Sequence, residues 1–538
     1  MANELFDGLL GASPDSAPDI TPDTAPDIAA PDAARNEAAP FARCPDGRVF
    51  SYADTRAASA QFAHVLTAYG VRKGDRVAVQ VSKSIEAVFL YLGCIRIGAV
   101  FLPLNTAYTP AEVSYFLNDA RPAVFICDPG HAATLREVAE TAGARLETMG
   151  GAGSPNAGSP NAGSSNKGSV MAAAHAAPTR INTTPCAADD LAAILYTSGT
   201  TGRSKGAMLS HGNLLSNALT LRELWRFTAD DVLLHALPIF HTHGLFVAIN
   251  TCLVARASMV VLPAFDLDDV LRHLPTTTAM MGVPTFYTRL LGDDRFSRDA
   301  AAHMRLFISG SAPLLAETHI QFEERTGQKI LERYGMTETN MNTSNPYDGE
   351  RRAGTVGFPL PGVEVRICDA GTGATLRDGE IGVLEVRGPN VFSGYWQMPE
   401  KTAEEFRPDG FFITGDMARQ DADGYIHIVG RSKDLIISGG YNIYPKEIEL
   451  VLDDEDGVLE SADIGTPHPD FGEAVVAVLV AEKNGLDLDA LTASINAKLA
   501  RFKQPKRIEL VDELPRNTMG KVQKNILRDR YADSFTNG

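Results

Sequence analysis

The rhythm of hydrophobic and polar positions divides this chain into distinct stretches. Apolar runs at DRVAVQV (75–81) and GAVFLPLN (98–105) predict strands, and SIEAVFLYLGCIRIG between them predicts a helix. Strand, helix, strand in that order is the unit of a parallel sheet. The alternation resumes from Asp189 to about residue 345, with strands predicted at DLAAILYTS, VLLHALPIF and ASMVVLPAF. From about 355 to 430 short strands separated by glycine turns take over: VEVRICDAGTG, IGVLEVRGP and GYIHIVG. These predict an antiparallel, barrel-like piece. Beyond Gly430 a small α+β unit is predicted, with KDLIISGG, helix PKEIELVLDDEDG, strand EAVVAVLVAE and helix LDALTASINAKLA.

Two stretches lack any such rhythm. Residues 13–40 repeat a Pro-Asp unit among small residues, so a disordered acidic leader is expected over 1–40. Residues 149–180 contain GSPNA twice, then GSSNKGS and an alanine-rich run, which predict a flexible surface insert. The expected class is therefore α/β. A large N-terminal domain over 41–430 holds two βαβ-type sheet subdomains and a small β-barrel, and an α+β domain covers 431–538. The boundary is placed at the Gly430-Arg431-Ser432-Lys433 turn.

Composition narrows the function. A length of 538 residues suggests several compact units, and 44% hydrophobic with 22% charged residues excludes wholesale disorder. With 49 basic against 67 acidic residues the net charge is −18, which argues against nucleic acid or an anionic membrane as the main partner. Anionic ligands would need local devices: helix N-termini, glycine loops and a few placed cations. Six cysteines lie scattered without metal-like spacing, as in a reduced cytosolic enzyme. The best apolar run, Ala87 to Leu104, carries Arg96, and the first residues lack a basic n-region, so the cytoplasm is the expected location.

The sharpest chemical signal is Thr197-Ser198-Gly199-Thr200-Thr201-Gly202-Arg203-Ser204-Lys205-Gly206, between a strand and a helix opening near Ser210. Hydroxyls and glycines at this density let backbone N–H groups close around a phosphate, and Lys205 adds a point charge. It is not a Walker A loop, because GxxxxGK[ST] cannot be read here. A second constellation is Glu332-Arg333-Tyr334-Gly335-Met336-Thr337-Glu338-Thr339, which offers an aromatic face, a close backbone approach and a carboxylate suited to Mg²⁺. Gly310-Ser311-Ala312, Thr414-Gly415-Asp416 and Gly430-Arg431-Ser432-Lys433-Asp434 accompany it, Asp416 being suited to a ribose diol. Near the C-terminus, Thr518-Met519-Gly520-Lys521 places a lysine on a glycine-containing loop. For the first loop a plain surface loop is the weaker reading, whereas each of the others, taken singly, would more often be a structural turn or a solvated basic tail.

Together and in this order, the elements resemble the adenylate-forming superfamily of acyl- and aryl-CoA synthetases, luciferases and peptide-synthetase adenylation domains. The resemblance covers roughly residues 45–530. Gly282-Val283-Pro284-Thr285-Phe286-Tyr287-Thr288-Arg289 and ERYGMTETNMNTSNPYDGERRAGTVG look most like malonyl-CoA synthetases. The resemblance implies ligation of malonate to coenzyme A through a malonyl-adenylate, with methylmalonate as a second candidate and another short or medium acid as the alternative. It implies ATP, Mg²⁺ and coenzyme A, with Thr197 to Lys205 on the β- and γ-phosphates and Thr200 and Glu338 on the metal–phosphate unit. Gly310, Ser311, Ala312 and Tyr334, with the flanking Glu332, Arg333, Gly335, Met336 and Thr337, would form the adenine slot. Asp416 and Arg431 would hold the ribose, and Lys521 would bridge carboxylate and α-phosphate.

By the same resemblance the C-terminal domain is a mobile lid hinged at Lys433, and the Ser438-Gly439-Gly440 face with Lys446 would meet coenzyme A. Lys503 and Lys506 are further candidates for its phosphates. Desolvating the second carboxylate of malonate requires a fixed cation, for which Arg289 is the candidate, with Thr242, His243 and Met341 closing the pocket. Acetylation would remove the charge of Lys521, so a lysine acetyltransferase is a candidate partner. Among rival functions, a peptide-synthetase domain would need an Asp for an amino group in the LPIFHTHG region, and none is there. Light output with O₂ would identify a luciferase-like oxygenase, and a nucleotide sensor would not need Lys521.

Overall fold

A computed structural model describes residues 2–11, 36–150, 168–197, 204–438, 441–482, 485–517 and 520–535. Its long apolar stretches form two large sheets. One has six strands, in the order Arg145–Thr148, Val124–Cys127, Arg76–Gln80, Val100–Pro103, Leu191–Thr197 and Lys205–Ser210, all parallel but the last pair. The other has nine strands, with a parallel centre running from Leu331–Met336 through Leu306–Ser309, Ala279–Gly282, Val232–His235 and Ser258–Val261 to Pro40–Arg43. Antiparallel strands finish both of its edges.

Helix Ile85–Arg96 lies in the main core, and all twelve of its residues are buried. Ser84 caps it by accepting from the Ala87 N–H, and its two charges are answered locally. Glu86 pairs with Arg48 at 2.5 Å, and Arg96 donates to the Arg56 and Ile181 carbonyls and to Ser59 Oγ. The alternating stretch forms a four-stranded antiparallel sheet, Glu364–Cys368, Gly382–Arg387, Phe412–Gln420 and Ile426–Arg431, where a barrel-like piece was expected. The C-terminal sheet begins at Ile436–Ser438 and centres on the long hairpin of Val458–His468 with Gly472–Ala481. No described helix is long and apolar enough to cross a membrane.

Both stretches read as unstructured need correction. Residues 4–10 of the expected leader form a helix, Glu4–Leu10, with Leu5, Phe6, Leu9 and Leu10 buried in the main core. Asn3 caps it and donates its side-chain amide to the carbonyls of Ile95 (2.8 Å) and Thr184 (2.9 Å). Residues 12–35 lie outside the described residues. Within the expected insert, Ser169–Ala176 is a helix with Val170, Met171 and Ala174 buried, and residues 151–167 lie outside the described set. Short apolar faces next to low-complexity sequence were sufficient once a long-range surface received them.

Candidate active site

The C-terminal edge of the nine-stranded sheet carries the aromatic–glutamate block. Gly335 is required by the backbone itself, because a Cβ there would fall 1.8 Å from the Asn340 carbonyl oxygen. Tyr334 donates its hydroxyl to Asp416 Oδ2 at 2.5 Å, and Arg431 Nε meets Asp416 Oδ1 at 2.7 Å. Asp416 and Arg431 are direct partners across two antiparallel strands, which brings these separate motifs to one point. Asp416 is buried, and its backbone N–H is held by Thr414 Oγ1. Glu332 is buried against His319 Nδ1 at 3.1 Å, so its carboxylate serves the packing of helix Ala316–Thr326.

Lys521 comes to the same place from the C-terminal domain. Gly520, at φ +74°, lies against the N-terminal turn of helix Pro284–Leu291, since a Cβ there would be 3.4 Å from the Thr285 side chain. The Asn517 side chain and carbonyl accept from the Lys521 and Gly520 N–H groups. Lys521 remains open to solvent within the walls of the cleft. Desolvation and then Arg431 hold its ammonium below the usual lysine range, with Asp416 opposing. Lys433, the expected hinge, sits in a tight turn, Ser432–Asp434, and is likewise drawn down, first by burial; Asp434 pairs with Arg528.

Ser198, Gly199, Thr200, Thr201 and Gly202 lie outside the described residues, as do Gly439 and Gly440. The flanks of the expected phosphate loop are defined: Thr197 pairs with Lys205 across the strands. Lys205 Nζ sits 2.9 Å from Glu405 and 4.0 Å from the centre of the Tyr395 ring. Tyr395 donates to Glu405 Oε2 at 2.6 Å and lies 3.1 Å from Glu338 Oε1. Sequence reasoning missed Tyr395 and Glu405, which stand outside every glycine-rich motif and connect Lys205 with Glu338. Glu338 is buried, and burial raises its carboxyl. Among the described residues no three His, Cys, Asp or Glu side chains cluster as a metal site. A single buried carboxylate suits Mg²⁺, which is usually carried by one or two carboxylates together with nucleotide phosphates.

The residues expected to bound the acid lie on three elements. Thr242 Oγ1 donates to Asn340 Oδ1 at 2.5 Å, and His243 Nδ1 lies 3.2 Å from Ser311 Oγ. Met341 is buried, its carbonyl taking the side-chain amides of Asn217 and Asn390. Arg289 is exposed, 5.9 Å from the centre of the Phe265 ring and on the helix face it shares with Thr285 one turn earlier. Lys83 Nζ donates to His235 Nδ1 (2.7 Å) and to the His235 carbonyl (2.8 Å). A carbonyl oxygen only accepts, so His235 Nε2–H donates to the Gly244 carbonyl at 2.8 Å. Lys83 thereby orients the π-helical segment His243–Ile249, a role that no local motif announced. Desolvation and then Lys83 keep His235 neutral, lowering it to about 3.

On the C-terminal domain, Ser438 is buried. Lys446 is engaged by Glu449 (3.6 Å) and Asp453 (3.8 Å), and Lys503 by Glu447 at 2.6 Å. Lys506 Nζ lies 3.5 Å from the Arg501 carbonyl. The structure therefore ties these lysines into their own domain, whereas Tyr334, Asp416, Arg431 and Lys521 share one cleft.

Comparison with known proteins agrees with this geometry. The family model described as AMP-binding enzyme matches residues 30–396, and that of the AMP-binding enzyme C-terminal domain matches 447–521. A malonate–CoA ligase of Arabidopsis thaliana is 36% identical over 86% of this chain and 78% of its own length. A long-chain-fatty-acid–CoA ligase of Salmonella typhimurium is 32% identical over 91% and 92%. ATP-bound MatB from Rhodopseudomonas palustris is 52% identical over 99% of this chain and 100% of its own, with a TM-score of 0.91. Its apo form, equally identical, superposes at 0.81. The chain as a whole thus superposes more closely on the ATP-bound form, and it belongs to the AMP-binding enzyme family.

Proposed function

We propose that this enzyme ligates malonate to coenzyme A at the expense of ATP, through a malonyl-adenylate. A malonate oxygen forms a bond to the α-phosphorus as the bond to pyrophosphate breaks. The coenzyme A thiol then loses its proton, its sulfur attacks the acyl carbon, and AMP departs. The observation that carries the adenylation step is the convergence of Tyr334, Asp416 and Arg431 on the cleft that receives Lys521. The choice of malonate is supported by the malonate–CoA ligase relative.

Asp416 and Arg431 bind the ribose, and Tyr334 flanks the adenine with Gly310, Ser311 and Ala312. Lys521 is aimed at the reacting carboxylate and α-phosphate, where charge builds up in the transition state. Thr200 and Glu338 are the residues that would hold Mg²⁺, which when bound would supply charge neutralisation at the phosphates. Arg289, Thr242, His243 and Met341 bound the acid. The C-terminal domain turns at Lys433 to exchange the Lys521 face for the Ser438–Gly440 face, with Lys446 toward coenzyme A. ATP–pyrophosphate exchange over a panel of carboxylates, followed by thioester formation with coenzyme A, tests the reading. Malonate is expected to lead, and stronger exchange with acetate or long acyl chains would overturn it.

A further inference from the structure

The helix Lys524–Arg530 begins three residues after Lys521 and is too short to hold its place by its own hydrogen bonds. Leu527 is fully buried in a small cluster with Ala462, Ile464 and Leu514. Lys524 and Arg528 stand one turn apart, so they share a face of this helix. Each reaches a carboxylate on a different element. Lys524 Nζ meets Glu449 of helix Pro445–Asp453, a buried side chain that also accepts from the Asp463 N–H at 3.1 Å. Arg528 Nη2 meets Asp434, 94 residues away in the turn Ser432–Asp434 that follows strand Ile426–Arg431.

Asp434 sits at the expected hinge, next to Lys433 and shortly after Arg431. Burial pushes its carboxyl up, but Arg528 and then Lys524 hold it below the usual carboxylate range. Its field also reaches the Lys521 ammonium, together with that of Asp416. The loop that carries Lys521 is closed at its base. Arg516 and Val522 pair antiparallel, the Gln523 N–H donates to the Pro515 carbonyl at 2.7 Å, and Arg516 Nη1 donates to the Gly520 carbonyl at 2.6 Å. Such closure keeps a loop in shape but does not set where it stands. That is set by what the following helix is tied to, and Arg528 ties it to the hinge turn.

We propose that Arg528 is a positioning residue for adenylation: by gripping Asp434 it fixes the C-terminal helix to the hinge turn and so holds Lys521 in register over Asp416 and Arg431. A guanidinium suits this grip, because its planar fork sets the angle of a carboxylate as well as its distance. The register matters only while Lys521 faces the nucleotide. Once the lid has turned for the thioester step the lysine is withdrawn, and the same tie has nothing left to place. This assignment rests on the reading of Lys521 as the adenylation lysine.

The test measures both half-reactions in the full chain: ATP–pyrophosphate exchange with malonate, and conversion of supplied malonyl-AMP and coenzyme A to thioester. Wild type is compared with Arg528→Met, Lys521→Ala and the double variant. Arg528→Met is expected to lose about 10–10²-fold in exchange, since displacing a catalytic group by about 1 Å can cost that much. ATP affinity and the thioester step should stay within about threefold of wild type. Adding Arg528→Met to Lys521→Ala should cost no further exchange, because a residue that acts only through Lys521 has nothing to lose once Lys521 is gone. A further loss of about tenfold in the double variant, or equal losses in both half-reactions, would mark Arg528 as a general support and overturn the proposal. Unchanged exchange in Arg528→Met would overturn it too. Should Arg528→Met fail to fold, Arg528→Gln carries the same expectations. Exchange that survives Lys521→Ala would defeat the adenylation reading itself, whereas loss in Lys521→Ala with none in Arg528→Met defeats only the role of Arg528.

Discussion

Phe6→Ala is the most direct probe of how the N-terminus joins the fold. The ring is fully buried in the main core, and the Arg96 guanidinium carbon lies 4.9 Å from its centroid. Emptying a site of this size costs roughly 3–5 kcal/mol, and losing a desolvated cation–π contact adds about 1–2 kcal/mol. The expected loss is about 4–5 kcal/mol once partial relaxation is allowed, a large part of the roughly 5–15 kcal/mol that holds a typical domain folded. Asn3→Ala should cost less, about 1–3 kcal/mol, by leaving the Ile95 and Thr184 carbonyls without their donor. Calorimetry or urea unfolding reads both. Deleting residues 2–38 removes the whole helix, so it should destabilise the enzyme, contrary to what the composition of 13–40 alone suggests. A melting temperature for Phe6→Ala within one degree of wild type would refute the packing argument.

Two further outcomes concern catalysis and pH. Lys521→Ala should lose about 10²–10³ in pyrophosphate exchange yet still convert supplied malonyl-AMP and coenzyme A to thioester; equal loss of both half-reactions would count against domain rotation. If a lysine acetyltransferase acts on Lys521, the acetylated enzyme should mimic this variant, and full activity of quantitatively acetylated enzyme would dismiss that regulation. His211, His235 and His241 are held neutral, near 4, 3 and 4, first by burial. Their folded values lie below the unfolded value, so the stability they contribute is complete above pH 6.5 and is lost as pH falls through about 4. Each accounts for up to about 1.4 kcal/mol per pH unit in that window, and a melting temperature flat from pH 7 to 4.5 would contradict it.

Local chemistry was enough to predict several parts of this protein. The apolar runs at 75–81 and 98–105 became paired parallel strands, because a run buried on both faces has few other stable uses. The order of the glycine-rich and Tyr-Gly-Met-Thr-Glu motifs identified the family, because phosphate binding and close backbone approach restrict which residues can stand there. Packing decided what pattern could not. The seven-residue helix Glu4–Leu10 is too short to be stable alone and exists through the surface that covers it. The Lys205–Glu405 pair spans 200 residues and the Lys83–His235 pair 152, so no local window contains both partners. In sequence Arg333 is one member of a nucleotide motif. Only the close approach of Gly310, just after strand Leu306–Ser309, shows it to be a buried cation whose Nε and Nη2 lack partners among the described residues. Arg289 was singled out because a malonate pocket needs a cation, yet its exposure and that of every other arginine are set by which helix faces meet, a property of the whole fold.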